Sequence, residues 1–411
     1  MSAVGSSRPE AAARSGQQPR APAALPALCV TQITSWGVLY YAFPVLNPKI
    51  TAATGWPGGA TTAAFSAALL LSAVAGICVG AVIDRRGPRG VMTAGSALGV
   101  LSVLLVATAP NIAVFAAGWL LAGLAMAATF YQPAFAALTR WRAPDHVRAL
   151  TVLTLAGGLS STVFAPLTAA LAEHLSWRAS YAVLAAVLAV VTIPAHALAL
   201  RAPWPPAPAA PAQQQDGEAA GVVPIMRSRS FRVLAAALGL AIFVAFAVVV
   251  AQVPLLLERG YTSAQAAWAL GLGGVGQAAG RLLYGPLARR TTPTARTVAL
   301  FTLGGVTTAA LALAPGPYGL LVALSVAAGM VRGNLTLLQA TAVADRWGTA
   351  HYGRLSAALA LPATTAQGLA PFAATALASA LGGYPLVFGL LALLAALSAL
   401  FALGSRPQPA R

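Results

Sequence analysis

Hydrophobic residues occur in long runs along the chain, and short polar segments separate these runs. Each run is apolar on every side for about 20 residues, the length of helix that crosses a hydrocarbon core of roughly 30 Å. Strands of a membrane barrel would instead alternate apolar and polar positions over about 10 residues. The pattern therefore predicts an all-α membrane protein with twelve transmembrane helices. The predicted spans are 24–46, 60–83, 91–109, 112–138, 149–172, 178–200, 231–256, 264–287, 296–314, 317–343, 355–378 and 384–404.

A break after the sixth run divides the chain into two sets of six spans. Residues 201–230 are rich in proline and then in glutamine, a composition that is typical of a flexible linker. The predicted organisation has five parts. They are a disordered cytoplasmic tail at 1–22, an N-terminal half at 23–200, the linker at 201–230, a C-terminal half at 231–404 and a cytoplasmic tail at 405–411.

Composition and charge agree with a membrane protein. Hydrophobic residues make up 58% of the 411 residues and charged residues 8%, whereas about 25% of the residues of a soluble domain are charged. The net charge of +17 comes from short clusters of arginine between the apolar runs, which argues against a nucleic-acid-binding patch. With the N-terminus in the cytoplasm, 20 of the 25 basic residues lie inside and 3 outside. This asymmetry predicts that both termini are cytoplasmic in a plasma-membrane protein.

Sequence motifs for enzymatic chemistry are missing from the chain. It contains no HExxH, GxSxG or phosphate-binding P-loop pattern, so neither hydrolysis nor ATP-driven transport is predicted. Its two cysteines, Cys29 and Cys78, fall in predicted spans without CxxC spacing. We therefore expect no enzyme activity, no cofactor and no metal site.

The densest charge cluster of the first half is a short loop between the second and third predicted spans. This segment, called the charged loop below, reads Gly-Ala-Val-Ile-Asp-Arg-Arg-Gly-Pro-Arg-Gly over residues 80–90. Its pattern Gly-x-x-x-Asp-Arg-x-Gly-x-Arg resembles the loop between helices 2 and 3 of the major facilitator superfamily. Pro88 is the one departure, because the family usually has Arg or Lys at that position.

The two halves of the chain also resemble each other. The start of the charged loop is echoed 205 residues later by the segment 285–290, and the pair Arg140-Trp141 is echoed 206 residues later by Arg346-Trp347. The resemblance to the superfamily thus extends over about 24–404 of this sequence. It implies two six-helix bundles of the same orientation that rock around a binding site near the midplane of the membrane.

The resemblance further implies that the charged loop and its echo form a conformational gate. In the family the loop aspartate holds the cytoplasmic side closed across the seam between the halves. The residues assigned to the gate are Gly80, Asp84, Arg85, Gly87, Arg89, Gly285, Arg289 and Arg290. A plainer interpretation makes the arginines determinants of membrane orientation, and the two interpretations are compatible. Arg289 stands where the first loop has Asp84, so the implied gate is asymmetric.

Two arginines lie inside predicted spans, where an ionised side chain is costly. Arg332 falls close to the middle of the span 317–343, and none of the eight acidic residues lies in the middle of a span. A substrate anion could therefore be the counter-ion of Arg332. The alternative is structural, with Arg332 bonded to helix carbonyls or to Asn334.

The second buried arginine, Arg281, has Gln277 four residues earlier on the same helix face. The stretch 276–285 around them is similar to helix 8 of the monocarboxylate and oxalate/formate carriers. That resemblance implies that Arg281 binds a substrate carboxylate. Animal monocarboxylate carriers have an acid at the position of Gln277, so its replacement here puts proton coupling at this residue in doubt. The first span also lacks the lysine that the animal members have.

Further polar and aromatic residues in the spans are candidates for a substrate cavity. Gln32, Trp36 and Tyr40 recur every four residues on one face of the first span, which predicts a cavity lining. The alternative for the tyrosine is the aromatic belt at the membrane surface. The remaining candidate ligands are Tyr131, Asn334 and Gln339, each of which could instead make a helix–helix hydrogen bond.

These observations predict a secondary active or facilitated transporter that moves a small organic solute, in particular an anion such as a monocarboxylate, through a rocker-switch cycle. The predicted partners are the solute, the lipid bilayer and a coupling proton or exchanged solute, and the chain is expected to function as a monomer. The alternative is an exporter of lipophilic drugs or secondary metabolites with the same fold. A membrane receptor without transport is a third hypothesis, which the short loops disfavour.

Overall fold

The structure of the protein is a computed structural model that describes residues 21–142, 146–205, 223–348 and 352–405. These residues are almost wholly helical and include no strand. The predicted N-terminal tail falls outside the described residues up to residue 20, as do linker residues 206–222 and tail residues 406–411.

The N-terminal half contains nine helices within its described residues, and a π-helical segment, Gly37–Tyr41, joins the first two. They are α1 (Ala24–Trp36), α2 (Ala42–Thr54), α3 (Gly58–Arg86), α4 (Pro88–Thr108), α5 (Ile112–Thr129), α6 (Tyr131–Trp141), α7 (His146–Gly158), α8 (Ser160–His174) and α9 (Trp177–Ala199).

The C-terminal half has longer and less interrupted helices. They are α10 (Arg229–Glu258), α11 (Ser263–Arg290), α12 (Pro293–Leu313), α13 (Tyr318–Thr341), α14 (Ala344–Trp347), α15 (Tyr352–Leu381) and α16 (Tyr384–Leu403).

In the described part of the chain, nine helical segments are long and apolar enough to cross a membrane. Each of them overlaps one of the twelve predicted spans. The other three predicted spans coincide with the interrupted α1–α2 segment and with α11 and α15, which carry glycine, glutamine, threonine and internal proline. Large apolar side chains such as Ile77, Val190 and Leu313 are more than 70% exposed, as expected of a multi-pass protein whose outer surface faces lipid.

Helices α11 and α13 pack backbone against backbone, because glycines face each other along the contact. A Cβ atom at Gly276 would overlap the carbonyl oxygen of Val326, and one at Gly333 would overlap that of Gln277. Only glycine permits so close an approach in membrane helices. The contact therefore brings Gln277 and Arg281 of α11 beside Arg332 of α13.

The two halves meet mainly along α3 with α15 and along α8 with α11. The hydroxyl of Thr162 donates to the carbonyl of Gly271 over 2.8 Å, and the hydroxyl of Ser66 accepts from the amide of Phe372 over 3.0 Å. Ser66 lies in the first part of α3 and Gly271 in the first part of α11, far from the arginines that end both helices. The end of the bundle that carries those arginines is called the arginine-rich end below.

Candidate functional site

A cavity of about 250 Å³ lies between the two halves and is called the central cavity below. Its lining comes from α1, the π-helical segment, α3, α5, α6 and α7 on one side and from α10, α11, α13 and α15 on the other. A largely apolar cavity with a few convergent polar groups at the interface of two domains is the usual form of a small-molecule site.

The N-terminal half supplies an aromatic wall to the central cavity. It is formed by Trp36, Tyr41, Phe130 and Tyr131. The Trp36 ring stacks on Phe130, with 4.0 Å between centroids and 16° between planes, and its centroid is 5.3 Å from that of Tyr131. Such contacts hold flat rings in fixed orientations.

The π-helical segment decides which tyrosine faces the central cavity. In a regular α-helix Tyr40 would lie below Trp36, but the π turn inserts one extra residue and aligns position i with i+5. Tyr41 consequently lines the cavity, whereas Tyr40 is 1% exposed and packs behind it against Phe65. The predicted four-residue stripe is thus displaced at its last position.

Gln32, the first member of that stripe, does not line the cavity either. Its side-chain nitrogen donates to the carbonyls of Thr129 at 2.7 Å and Phe130 at 3.3 Å, where α5 ends and α6 begins. Carbonyls at a helix end lack partners within the helix. Gln32 therefore stabilises the helix break that presents Phe130 and Tyr131 to the cavity.

The C-terminal half supplies a polar wall. It is formed by Gln277, Arg281, Arg332, Thr336, Gln339 and Gln367. Gln132 and Phe246 also line the cavity. The sequence alone does not indicate that Gln132 and Gln367 are lining residues, because a single polar residue in a span gives no sign of the face on which it lies.

Arg332 is the polar-wall residue with the largest unmet bonding capacity. Its side chain is 7% exposed, and its Nε and Nη2 atoms have no hydrogen-bond partner. Neither arginine of the polar wall contacts a carboxylate among the described residues. An unpaired buried charge is strongly unfavourable in a protein interior. The wall of the central cavity therefore carries a positive charge, and two buried nitrogens of Arg332 have no acceptor among the described residues.

Asn334 lies away from the cavity although it is two residues from Arg332. Its side-chain nitrogen donates to the carbonyl of Met330 over 2.8 Å, and the residue packs against Gly280 in the α11–α13 contact. The expected alternative of an Arg332–Asn334 bond is not observed, since these are the contacts that Asn334 makes.

Arg281 has a partner in the opposite half. Its Nη1 atom donates to the backbone carbonyl of Thr154 in α7. A Cβ atom at Gly158 would lie 2.6 Å from that nitrogen, and the neighbouring Gly157 gives room to the hydroxyl of Tyr131 in the same way. The two glycines thus form a notch in α7 that receives Arg281, and the notch joins the polar wall to the N-terminal half.

At the arginine-rich end, the charged loop is held by contacts with the N-terminal half and with the start of the linker. Asp84 forms a 2.9 Å ion pair with Arg140 at the end of α6. Trp204, at the start of the linker, donates to the carbonyl of Asp84 over 3.2 Å and packs on Gly87, whose φ of 80° favours glycine. In this conformation the described partners of Asp84 thus lie in its own half and at the start of the linker, and the gate across the seam stays a prediction.

The remaining gate candidates lie on the surface or make contacts within their own half. Arg89 donates to the carbonyl of Ala197 over 2.9 Å. The others are exposed or half-buried, namely Gly80, Arg85, Gly285, Arg289 and Arg290.

The C-terminal half stabilises its arginine-rich end with an ion pair that the sequence did not indicate. Arg296 at the start of α12 pairs with Asp345 in α14. The neighbouring Arg346 is buried, donates to the hydroxyl of Thr297 over 2.9 Å and to the carbonyl of Pro293 over 3.2 Å. Burial lowers the pKa of Arg346 to about 10, so it remains charged at neutral pH.

Comparison with known proteins identifies the family. The model of the Major Facilitator Superfamily matches residues 28–358 and 234–411. The chain belongs to this superfamily. This superfamily consists of membrane transporters, which indicates a transporter and not an enzyme.

Curated relatives give the same result. Monocarboxylate transporter 13 of Bos taurus is 30% identical over 275 residues, which are 66% of this chain and 63% of that protein. Its counterpart in Rattus norvegicus is 29% identical over 284 residues, or 68% of this chain and 64% of the rat protein. The chain therefore matches less than two thirds of the length of either relative.

Solved structures show the same fold at low sequence identity. A bacterial homologue of the human lysosomal transporter Spinster, inward-facing and unoccupied, superposes with a TM-score of 0.76 at 14% identity, covering 96% of this chain and 100% of that one. Its inward-facing occupied form gives a TM-score of 0.75 with the same identity and coverage.

Proposed function

We propose that the chain transports a small organic anion, in particular a monocarboxylate, by secondary active or facilitated alternating access. The observation that carries the proposal is Arg332, a buried guanidinium on the wall of the central cavity with two unpartnered nitrogens. A carboxylate has the planar pair of acceptors that a guanidinium binds well. The similarity to proteins called monocarboxylate transporters supports the same substrate class.

We also propose that the chain crosses the membrane twelve times and that both termini lie in the cytoplasm. The α1–α2 segment, which the π-helical segment interrupts, is then one span. Helices α11 and α15 are spans although they are less apolar than the others, because they line the central cavity as the α1–α2 segment does. Because the basic residues are unequally distributed between the two ends of the bundle, the arginine-rich end would face the cytoplasm. The membrane would be the plasma membrane. A reporter fused after residue 405 tests this orientation, since a fusion active only outside the cell would contradict it.

With that orientation, the hydrogen bonds of Ser66 and Thr162 between the halves lie on the extracellular side. The conformation is then inward-facing, and the inward-facing Spinster homologue supports this assignment. Rocking the halves would break these contacts and form new ones at the arginine-rich end. There Asp84 would exchange its partner Arg140 for a group across the seam, which is the gating role expected of the charged loop.

Transport in proteoliposomes tests the anion proposal. Purified protein should take up radiolabelled monocarboxylates faster than protein-free liposomes, and Arg332→Ala and Arg281→Ala should each lower the rate. Unchanged kinetics in both variants would overturn the proposal.

The apolar character of the aromatic wall favours one alternative, an exporter of lipophilic compounds. A host that expresses the protein would then resist lipophilic drugs, and the proteoliposomes would show no carboxylate flux. Carboxylate flux without drug resistance would exclude the exporter.

A further inference from the structure

The central cavity contains more aromatic rings than the composition of the chain predicts. Aromatic residues are 7% of the chain but five of the 26 residues that line the cavity. Four of the five form the aromatic wall, and the fifth, Phe246, comes from α10 of the other half. A solute of three carbons is too small to contact most of this aromatic surface.

The rings are held in fixed orientations by contacts with one another. Trp36 and Phe130 are stacked nearly parallel, and Phe246 stands at 89° to the buried Tyr40 ring with 6.0 Å between centroids. Two aromatic rings in offset-stacked or edge-to-face contact gain free energy beyond the burial of their area. The aromatic wall is thus suited to a planar ligand group.

The donors without a partner indicate where the polar end of such a ligand would bind. Arg281 already donates to Thr154 across the seam, whereas the Nε and Nη2 atoms of Arg332 have no partner. The indole nitrogen of Trp36 is also buried without an acceptor. These donors lack an acceptor, which a carboxylate provides.

We propose that the substrate is an aromatic monocarboxylate, with its carboxylate on Arg332 and its ring against Trp36 and Phe130. This inference rests on the proposed function and narrows its substrate class. Aliphatic carboxylates would share the charged contact but lose the contact between rings.

Uptake of three acids by proteoliposomes of the full chain tests the inference. Phenylacetate and cyclohexylacetate share the carboxylate and the size of the ring but differ in planarity, and lactate lacks the ring. We expect the KM of phenylacetate to be about threefold to tenfold below that of cyclohexylacetate and further below that of lactate. Equal KM values for the three acids would overturn the inference and leave the proposed function intact, whereas no uptake of any acid would overturn both.

A set of tryptophan variants tests the ring contact itself. Trp36→Leu should abolish the preference for phenylacetate over cyclohexylacetate while lactate is still transported, and Trp36→Phe should keep the preference. Trp268→Leu is the matched control, because Trp268 is 50% exposed and outside the cavity lining. If Trp36→Leu fails to fold, the Trp36→Phe variant decides, since loss of the preference there would overturn the inference. An unchanged ratio of the KM values of phenylacetate and cyclohexylacetate in a folded Trp36→Leu variant would also overturn the inference.

Discussion

The two walls of the central cavity come from halves that repeat each other in sequence, yet their chemistry differs. The N-terminal half contributes flat rings, with Trp36 stacked on Phe130, and the C-terminal half contributes amides and two guanidinium groups. A cavity that is polar on one side and aromatic on the other orients a ligand with one charged and one apolar end. Both halves keep the frame of helices, and we propose that the difference between the walls determines the specificity.

The largest effect is expected when the charge of the polar wall is removed. Arg332→Ala should lower kcat/KM for a carboxylate by about 30-fold or more, since losing one partner of a buried charged pair costs about 2–5 kcal/mol. The initial rate of uptake in proteoliposomes measures the effect. Arg201→Ala is the control, because Arg201 is exposed at the start of the linker. Wild-type kcat/KM in Arg332→Ala would mean that the polar wall does not bind the anion.

A smaller effect is expected when the notch that joins the walls is filled. The methyl group of Gly158→Ala would lie 2.6 Å from Nη1 of Arg281 and displace it from Thr154. We expect about a tenfold lower rate, the equivalent of about 1.4 kcal/mol. Gly389→Ala is the matched control, since a Cβ atom at Gly389 meets no other group within 4 Å. Equal rates for the two variants would show that Arg281 does not need the notch.

The smallest effect is expected when the hydroxyl group of Tyr41 or of its neighbour Tyr40 is removed. Tyr41 lines the central cavity and Tyr40 does not, because the π turn shifts the face of the helix by one residue. Tyr41→Phe should therefore change the KM by about threefold, within the range of one hydrogen bond to a neutral group. Tyr40→Phe should change it less. A larger effect of Tyr40→Phe would contradict the register of the π-helical segment.

The sequence predicts the helical membrane fold because each long apolar run predicts one span independently of the others. It is less informative for α11 and α15, whose cavity faces carry glycine and polar residues. Their assignment as spans came from the length of their apolar runs. The breaks at Phe130 and Leu159 were not predicted, since a helix that is apolar on all sides has no periodic signal to interrupt.

Residue charge and burial explain which site residues could be predicted. Arg281 and Arg332 stood out because a charge inside a span requires a cavity or a partner, and both lie on the polar wall. Trp36, Tyr131, Gln277 and Gln339 also line the cavity, and their roles in binding remain predictions. Tyr41 was missed because a π turn has no signature in a single sequence.

Equilibrium binding to the purified protein is the most direct test of the claim that Arg332 binds a substrate carboxylate. Isothermal titration would compare phenylacetate with phenylacetamide, which has the same ring but no charge. We predict that the wild-type protein binds the acid at least about 30-fold more tightly than the amide. We also predict that Arg332→Gln removes this difference. A preference for the acid that persists in Arg332→Gln would contradict the account.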